Sequence, residues 1–191
     1  MSEELINHIR KFVPLNDSEA KDISGYFELV RAKKKTNLLK ENSPCRSLYF
    51  VAKGCLRLYF VKENGNEQTT QFALENWWLT DYTAFQLKKN ATHSVQAIEN
   101  SELLSISSQQ FDLLLSNHSS LEKYFRLIFM RGTSAAQTRM RIMYDFSREE
   151  MYHQFVSNFP GFVQRIPQYM LASYLGVTPE YLSEIRKRSI K

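Results

Sequence analysis

PQYMLASYLGVTPEYLSEIRKRSIK, residues 167–191, is the stretch on which the reading of the chain turns. Leu171, Ala172 and Leu175 fall on one face of a short helix, and Leu182 and Ile185 recur three apart on a second. Gly176 stands between them, where a left-handed residue can end one helix and turn the chain into the next. Ala172, Gly176, Leu182 and Ile185 together have the spacing of a DNA-binding helix-turn-helix. The small alanine lets the second helix approach, and the leucine and isoleucine pin it. Glu180, Tyr181, Ser183, Glu184, Lys187 and Arg188 are left facing outward, a polar and basic face that a helical hairpin inside a core would not need.

Charge follows the same division. Residues 1–118 hold 14 Lys+Arg and 14 Asp+Glu, whereas residues 119–191 hold 11 and 6, so the whole net charge of +5 lies in the last third. A basic end on a neutral body is the electrostatic footprint of a nucleic-acid binder. A hydrophobic content of 43% over 191 residues suits one large or two small domains with a real core. The opening MSEELINHIRKF has no signal-peptide core, and no apolar run reaches a membrane span, so a cytoplasmic protein is expected. Cys45 and Cys55 fit a reducing compartment and are too few for an iron–sulfur cluster.

Upstream of the helix-turn-helix the period of the apolar residues changes twice. Residues 3–13 make an amphipathic helix on Leu5, Ile6, Ile9 and Phe12, and Asn16 to Glu19 starts a second that runs to about Tyr26. Lys33, Lys34 and Lys35 read as the solvated side of a first strand. Between residues 38 and 107 the period is two. Leu48 to Val51 is a buried strand. Leu56, Leu58 and Phe60 alternate with Arg57 and Tyr59, and Asn64-Gly65 is a hairpin turn before the partner strand 68–73. Residues 94–97 and 102–107 make a last pair. Short strands with no helices between them predict an antiparallel roll. Phe111, Leu114 and Leu115 mark a short helix over 109–116. A long helix opens at Ser119, with Leu121, Tyr124, Phe125, Leu127, Ile128, Phe129 and Met130 apolar on more than one face. One face can lie on the roll, and the other most simply meets a second subunit, which predicts a symmetric homodimer. A rise in polar content at Gln137-Thr138-Arg139 places a boundary there. Residues 140–146 are helical, Ser147 to Glu150 has the form of a capping box, and Pro167 falls in the first turn of the next helix.

Laid end to end, these elements resemble the Crp/Fnr family of transcription regulators over nearly the whole chain. The stretches LYFVAKGCLRL (48–58), AIENSELLSIS (97–107) and SYLGVTPEYLSEIRKR (173–188) carry the resemblance. It implies an α+β fold: a cyclic-nucleotide-binding-like β-roll over 1–118, a dimerisation helix over 119–137, and a helix-turn-helix domain over 138–191. It also implies a homodimer on double-stranded DNA with RNA polymerase as a further partner. The family adds a β-hairpin wing after its reading helix. Since the chain stops at Lys191, the wing is expected to be missing.

The departures from the family pattern shape the site expectations. In the cyclic-nucleotide cassette a Gly-Glu pair takes the ribose and an Arg-Ser pair the phosphate. Thr80 and Asp81 stand at the first pair, and no arginine occurs near Ala91-Thr92-His93. A buried phosphate would lack its cation, so the roll is expected to bind either an effector other than cyclic AMP or none, with Trp78, Thr80, Asp81, Tyr82, Thr92 and His93 as candidate pocket residues. No cofactor and no metal is identified. Trp77 and Phe85 read as core.

In the reading helix, Pro179 and Glu184 stand where nucleotide-responsive relatives carry arginines. Glu180 and Glu184 become candidate base readers, since a carboxylate accepts from cytosine N4. Arg186, Lys187 and Arg188 suit phosphates. Gln168, Thr178, Pro179, Tyr181 and Ser183 complete the candidate DNA contacts.

Two other readings compete. A cupin-like metal oxygenase needs several converging histidines, and only His93 lies in the strand region. A sensor or interaction module whose helix-turn-helix has lost DNA binding is the other alternative.

Overall fold

The structure, a computed structural model, describes residues 2–189. It divides into two compact units, one of Met1–Phe60 and Gln71–Phe129, the other of Val61–Thr70 and Met130–Lys191.

The first unit opens with helices α1 (Ser2–Arg10) and α2 (Asp17–Ser24), shorter at their C-terminal ends than the apolar pattern suggested. A capping box starts α2: Asn16 Oδ1 accepts from the Glu19 amide and Glu19 Oε2 accepts from the Asn16 amide, both at 2.9 Å. The roll follows, built from two four-stranded sheets. One has the order β1 (Glu28–Ala32), β8 (Ser101–Ser107), β3 (Ser47–Lys53), β6 (Trp78–Leu79). The other runs β2 (Asn37–Leu39), β7 (Ser94–Ala97), β4 (Leu56–Val61), β5 (Glu67–Ala73). The pairings of β8 with β1 and β3, and of β7 with β2 and β4, are antiparallel.

Leu48, Phe50, Val51, Leu56, Val95 and Leu103 are fully or almost fully buried, as expected of strands whose apolar residues face one core. The lysine run departs from the expectation. Lys34 and Lys35 form the turn between β1 and β2 instead of a strand face, and Lys35 takes φ 71° while its amide donates to the Ala97 carbonyl at 2.7 Å.

A helix that the strand pattern did not announce, α3 (Tyr82–Leu87), interrupts the strands after β6. Helix α4 (Ser108–Asn117) leads to α5 (Ser120–Asp145). Residues 140–145 are helical as expected, but the long helix does not end at 137: α5 runs unbroken through 137–139 and takes them in. That polar stretch is the solvated side of an exposed helix, and it contains neither Gly nor Pro to stop it. The first turns of α5 belong to the roll's core, where Leu121, Tyr124 and Phe125 are at most 2% exposed. Tyr124 Oη accepts from Trp78 Nε1 at 2.8 Å and pairs with His8 Nδ1 of α1 at the same distance. The Phe125 ring lies 4.7 Å from Phe111 and 5.3 Å from Trp78, so aromatic edges close this end of the core.

The second unit contains the rest of α5, then α6 (Arg148–Asn158), α7 (Pro160–Val163), α8 (Gln168–Leu175) and α9 (Pro179–Ser189). Ser147 caps α6 with the reciprocal Glu150 bond that its sequence announced. Pro167 is the N-cap of α8, one position earlier than expected; with φ −56° and ψ 137° it leads the chain in without entering the helix. The unit also holds the tip of the β4–β5 hairpin, whose Gly65 takes φ 81°. There the Ser173 hydroxyl of α8 donates to the Glu67 carbonyl at 2.7 Å and accepts from the Thr69 amide at 2.8 Å, satisfying both groups on the open edge of β5.

Candidate nucleic-acid interface

The turn between α8 and α9 is made by a left-handed residue. Gly176 has φ 72° and ψ 33°, its amide reaches the Ala172 and Ser173 carbonyls, and the Val177 amide donates to the Ala172 carbonyl at 3.0 Å. Met170, Leu171, Ala172 and Leu175 from α8 meet Leu182 and Ile185 from α9, and none of these side chains is more than 3% exposed. Thr178 caps the second helix, its Oγ1 accepting from the Tyr181 amide at 3.2 Å.

The packing of Leu182 and Ile185 fixes which side of α9 faces out. Thr178, Pro179, Glu180, Tyr181, Glu184, Lys187 and Arg188 are exposed, and so is Gln168 at the start of α8. Ser183 is half-buried. Arg186 is set apart from the other two basic residues. Four residues after Leu182, it is half-buried and lines a cavity of about 220 Å³ with Gln164, Gln168, Leu171 and Leu182. Glu184 lies 4.0 Å from Arg188 one turn on, a solvent-exposed pair that leaves its carboxylate accessible. The outward face therefore presents carboxylates in the first half of the helix and cations in the second, with anion-favouring amides at its N-terminus.

The six candidate effector residues lie in the first unit, and three of them converge. Asp81 is the N-cap of α3 and is 4% exposed. Its Oδ1 accepts from the Ala84 amide at 3.1 Å. Its Oδ2 accepts from the Thr92 amide and hydroxyl, each at 2.8 Å, and from the His93 amide at 3.1 Å, with His93 Nδ1 at 3.4 Å. Burial works to raise this carboxyl, but the Ala84 and Thr92 donors and the neighbouring imidazole outweigh it and hold the group below the usual carboxylate range.

The other three also bond to the protein. Thr80 Oγ1 donates to the Ser47 carbonyl at 2.8 Å, beside the Cys45 thiol at 3.2 Å. Trp78 is buried and bonded to Tyr124. Tyr82 donates its hydroxyl to the Trp78 carbonyl at 3.0 Å and sets its ring edge-on to Phe129. Of the two aromatic residues expected in the core, Phe85 is buried and Trp77 is 47% exposed.

A second polar cluster inside the roll escaped the sequence. Arg57 of β4 is 2% exposed, its Nε and Nη2 donate to Gln96 Oε1 at 3.0 and 2.7 Å, and its guanidinium lies 4.1 Å over the Tyr59 ring. Gln96 Nε2 in turn donates to Asn37 Oδ1 at 2.9 Å. Alternation had already put Arg57 and Tyr59 on one side of their strand, but the partner on β7 is 39 residues away. Among the described residues no group of three or more His, Cys, Asp or Glu is placed to hold a metal ion.

The chain resembles known proteins in sequence and fold. Residues 29–118 match the model of the cyclic nucleotide-binding domain. An anaerobic regulatory protein of Pasteurella multocida (strain Pm70) is 25% identical over 188 residues, covering 91% of this chain and 67% of that protein. The regulatory protein HlyX of Actinobacillus pleuropneumoniae is 23% identical over the same length, covering 91% and 77%. Among solved structures, FixK2 from Bradyrhizobium japonicum superposes with a TM-score of 0.73 at 14% identity, over 85% of this chain and 83% of that one. The regulator CLP of Xanthomonas campestris gives 0.70 at 13% identity, over 91% of each chain.

Proposed function

We propose that this chain is a DNA-binding transcription regulator of the Crp/Fnr family that acts as a homodimer on a palindromic operator, reading it with α9. The carrying observation is the α8–α9 pair: a left-handed Gly176, a packed inner face and a polar, basic outer face on the second helix. Glu180 and Glu184 are the base-reading candidates of that face, with Thr178, Pro179, Tyr181 and Ser183 beside them. Lys187 and Arg188 suit the backbone, with Gln168 at the α8 N-terminus and Arg186 at the edge of the buried side. Each subunit places α9 in a major groove, with half-sites about 34 Å apart.

The dimer seam follows from α5. The turns holding Leu121, Tyr124 and Phe125 are already buried in the roll, so they are not free to pair with a second copy. Farther along, Phe129, Thr133, Ala136, Met140 and Met143 recur at intervals of four and three, the spacing of a coiled-coil seam. Phe129 is 37% exposed, Met140 60% and Met143 45%. We therefore assign dimerisation to residues 129–143, later than the 119–137 expected from apolar content alone.

The roll, over residues 1–118, is the sensory domain, and its effector is not cyclic AMP. Asp81, which stands where the family's ribose-binding glutamate would, spends its acceptors on Ala84, Thr92 and His93, and no arginine lies in 91–93 to hold a phosphate. The protein works in the cytoplasm, without catalysis, and meets RNA polymerase at the promoters it occupies. No described helix is long and apolar enough to cross a membrane.

Selection of bound sequences from a random duplex pool tests the reading. A palindrome with half-sites one helical turn apart is the expected result. Glu180→Ala should then relax preference at one base pair per half-site, a loss of roughly 1–3 kcal/mol of discrimination. A pool that never enriches at low salt rules the reading out and leaves a sensor that does not bind DNA.

A further inference from the structure

Arg148 is the first residue of α6 and lies outside the helix-turn-helix. Its guanidinium lies against the turn between α8 and α9: Cζ and Nη1 are 3.8 Å, and Nη2 3.9 Å, from where a Cβ on Gly176 would stand. Those are ordinary van der Waals distances, so the flat group rests beside the turn without crowding it. Among the described residues its one hydrogen bond runs from Nη1 to Met151 Sδ at 3.5 Å, and a thioether is a weak acceptor.

The two acids of the same helical turn are engaged elsewhere. Glu150 Oε2 accepts from the Ser147 amide at 2.7 Å and from the Ser147 hydroxyl at 2.8 Å, while Glu149 faces His153 at 3.9 Å. A half-buried guanidinium therefore keeps most of its donors available beside the turn that delivers the N-terminus of α9. In a docked helix-turn-helix that end of the second helix enters the major groove and the backbone passes beside it. A planar, five-donor fork held there fits the geometry and charge of a phosphate diester.

We propose that Arg148 is a phosphate-binding residue that anchors the DNA-reading head to the operator backbone and so sets the register of α9. The inference rests on the DNA-binding reading above. Packing against the turn has already removed part of the side chain's freedom, so little ordering remains to be done on binding. The contact carries no sequence information. It adds affinity on every duplex and positions Glu180 and Glu184 over the bases they read.

The test compares full-length wild type, Arg148→Gln and Arg148→Lys on the selected operator and on an unrelated duplex, at several salt concentrations. Arg148→Gln should weaken binding to both duplexes by a similar factor, about tenfold at low salt. The slope of log K against log salt should shrink by about one unit for each head. Arg148→Lys, which keeps the charge and loses the fork, should retain the slope and recover part of the affinity. A neutral methylphosphonate placed at one backbone position beside the half-site should abolish the difference between wild type and Arg148→Gln. Thermal unfolding runs alongside as a readout of structure. A lowered Tm with an unchanged salt slope would mean that Arg148 only braces the turn, and would overturn the proposal. So would equal affinity of wild type and Arg148→Gln on both duplexes. If the wild type binds no duplex, the DNA-binding reading falls first and this inference falls with it.

Discussion

Asp81 is buried and accepts every hydrogen bond described for it from the protein itself. Its position in the chain suggested a ligand-binding acid. In the fold its carboxylate joins the start of α3 to the approach to β7 through Ala84, Thr92 and His93. The donors at 92 and 93 are eleven and twelve residues away, a separation at which sequence says nothing about direction. Because the folded carboxyl lies below its ordinary value, the stabilisation it gives is complete well above the unfolded aspartate value of about 3.9 and is lost as the pH falls through the lower folded value. Asp81→Asn should turn an NH₂ group towards buried donors and destabilise the protein by about 1–3 kcal/mol at neutral pH. It should also flatten the acid limb of the stability profile. Denaturant titrations between neutral and acid pH measure both, and an unchanged acid limb would assign the shift to another group.

The elements divide by how local their determinants are. The α8–α9 pair was legible because the side chains that pack it lie within sixteen residues, from Met170 to Ile185, at helical spacing. Gly176 is needed there for its backbone. A Cβ would meet the Arg148 guanidinium at ordinary van der Waals distance, whereas φ 72° is unfavourable for most L residues by about 1–2 kcal/mol. Gly176→Asn should therefore be milder than Gly176→Ala, and Gly176→Val the most destabilising of the three. Equal midpoints in chemical denaturation would show that the turn relaxes into another conformation. Helix α5 was legible at its start and over 140–145, but not as one unbroken helix. Polar residues on an exposed helix and polar residues in a linker look alike in composition, and only the absence of Gly and Pro between 133 and 145 hinted that the helix continues. The lysine turn at 34–35 and the two-residue strand β6 were missed because they are too short to show a period.

At the scale of the whole molecule, the seam proposed on α5 is the link from fold to function. A single DNA-reading head makes few phosphate contacts, and pairing two of them multiplies affinity through effective concentration. Met140→Glu places a charge in the proposed seam. It should convert the dimer to a monomer in sedimentation experiments while leaving the Tm of the roll nearly unchanged, since Met140 is 60% exposed. Operator affinity should fall by tenfold or more, on the order of the avidity lost when two sites are uncoupled. A variant that stays dimeric would move the interface off the 129–143 seam.

The sequence by itself determined the helix-turn-helix, the alternation of the roll, the capping boxes at Asn16 and Ser147, and the concentration of charge in the last third. These depend on neighbours a few residues apart, where backbone geometry fixes which side chains share a face. Only the tertiary structure decided which of the aromatic and polar residues were left for binding. It gave Asp81 to α3, set Arg57 against Gln96, buried Tyr124 between Trp78 and His8, and laid Arg148 beside Gly176. Each of those outcomes is a competition for hydrogen-bond partners among groups far apart in the chain, and its result exists only once the chain has closed.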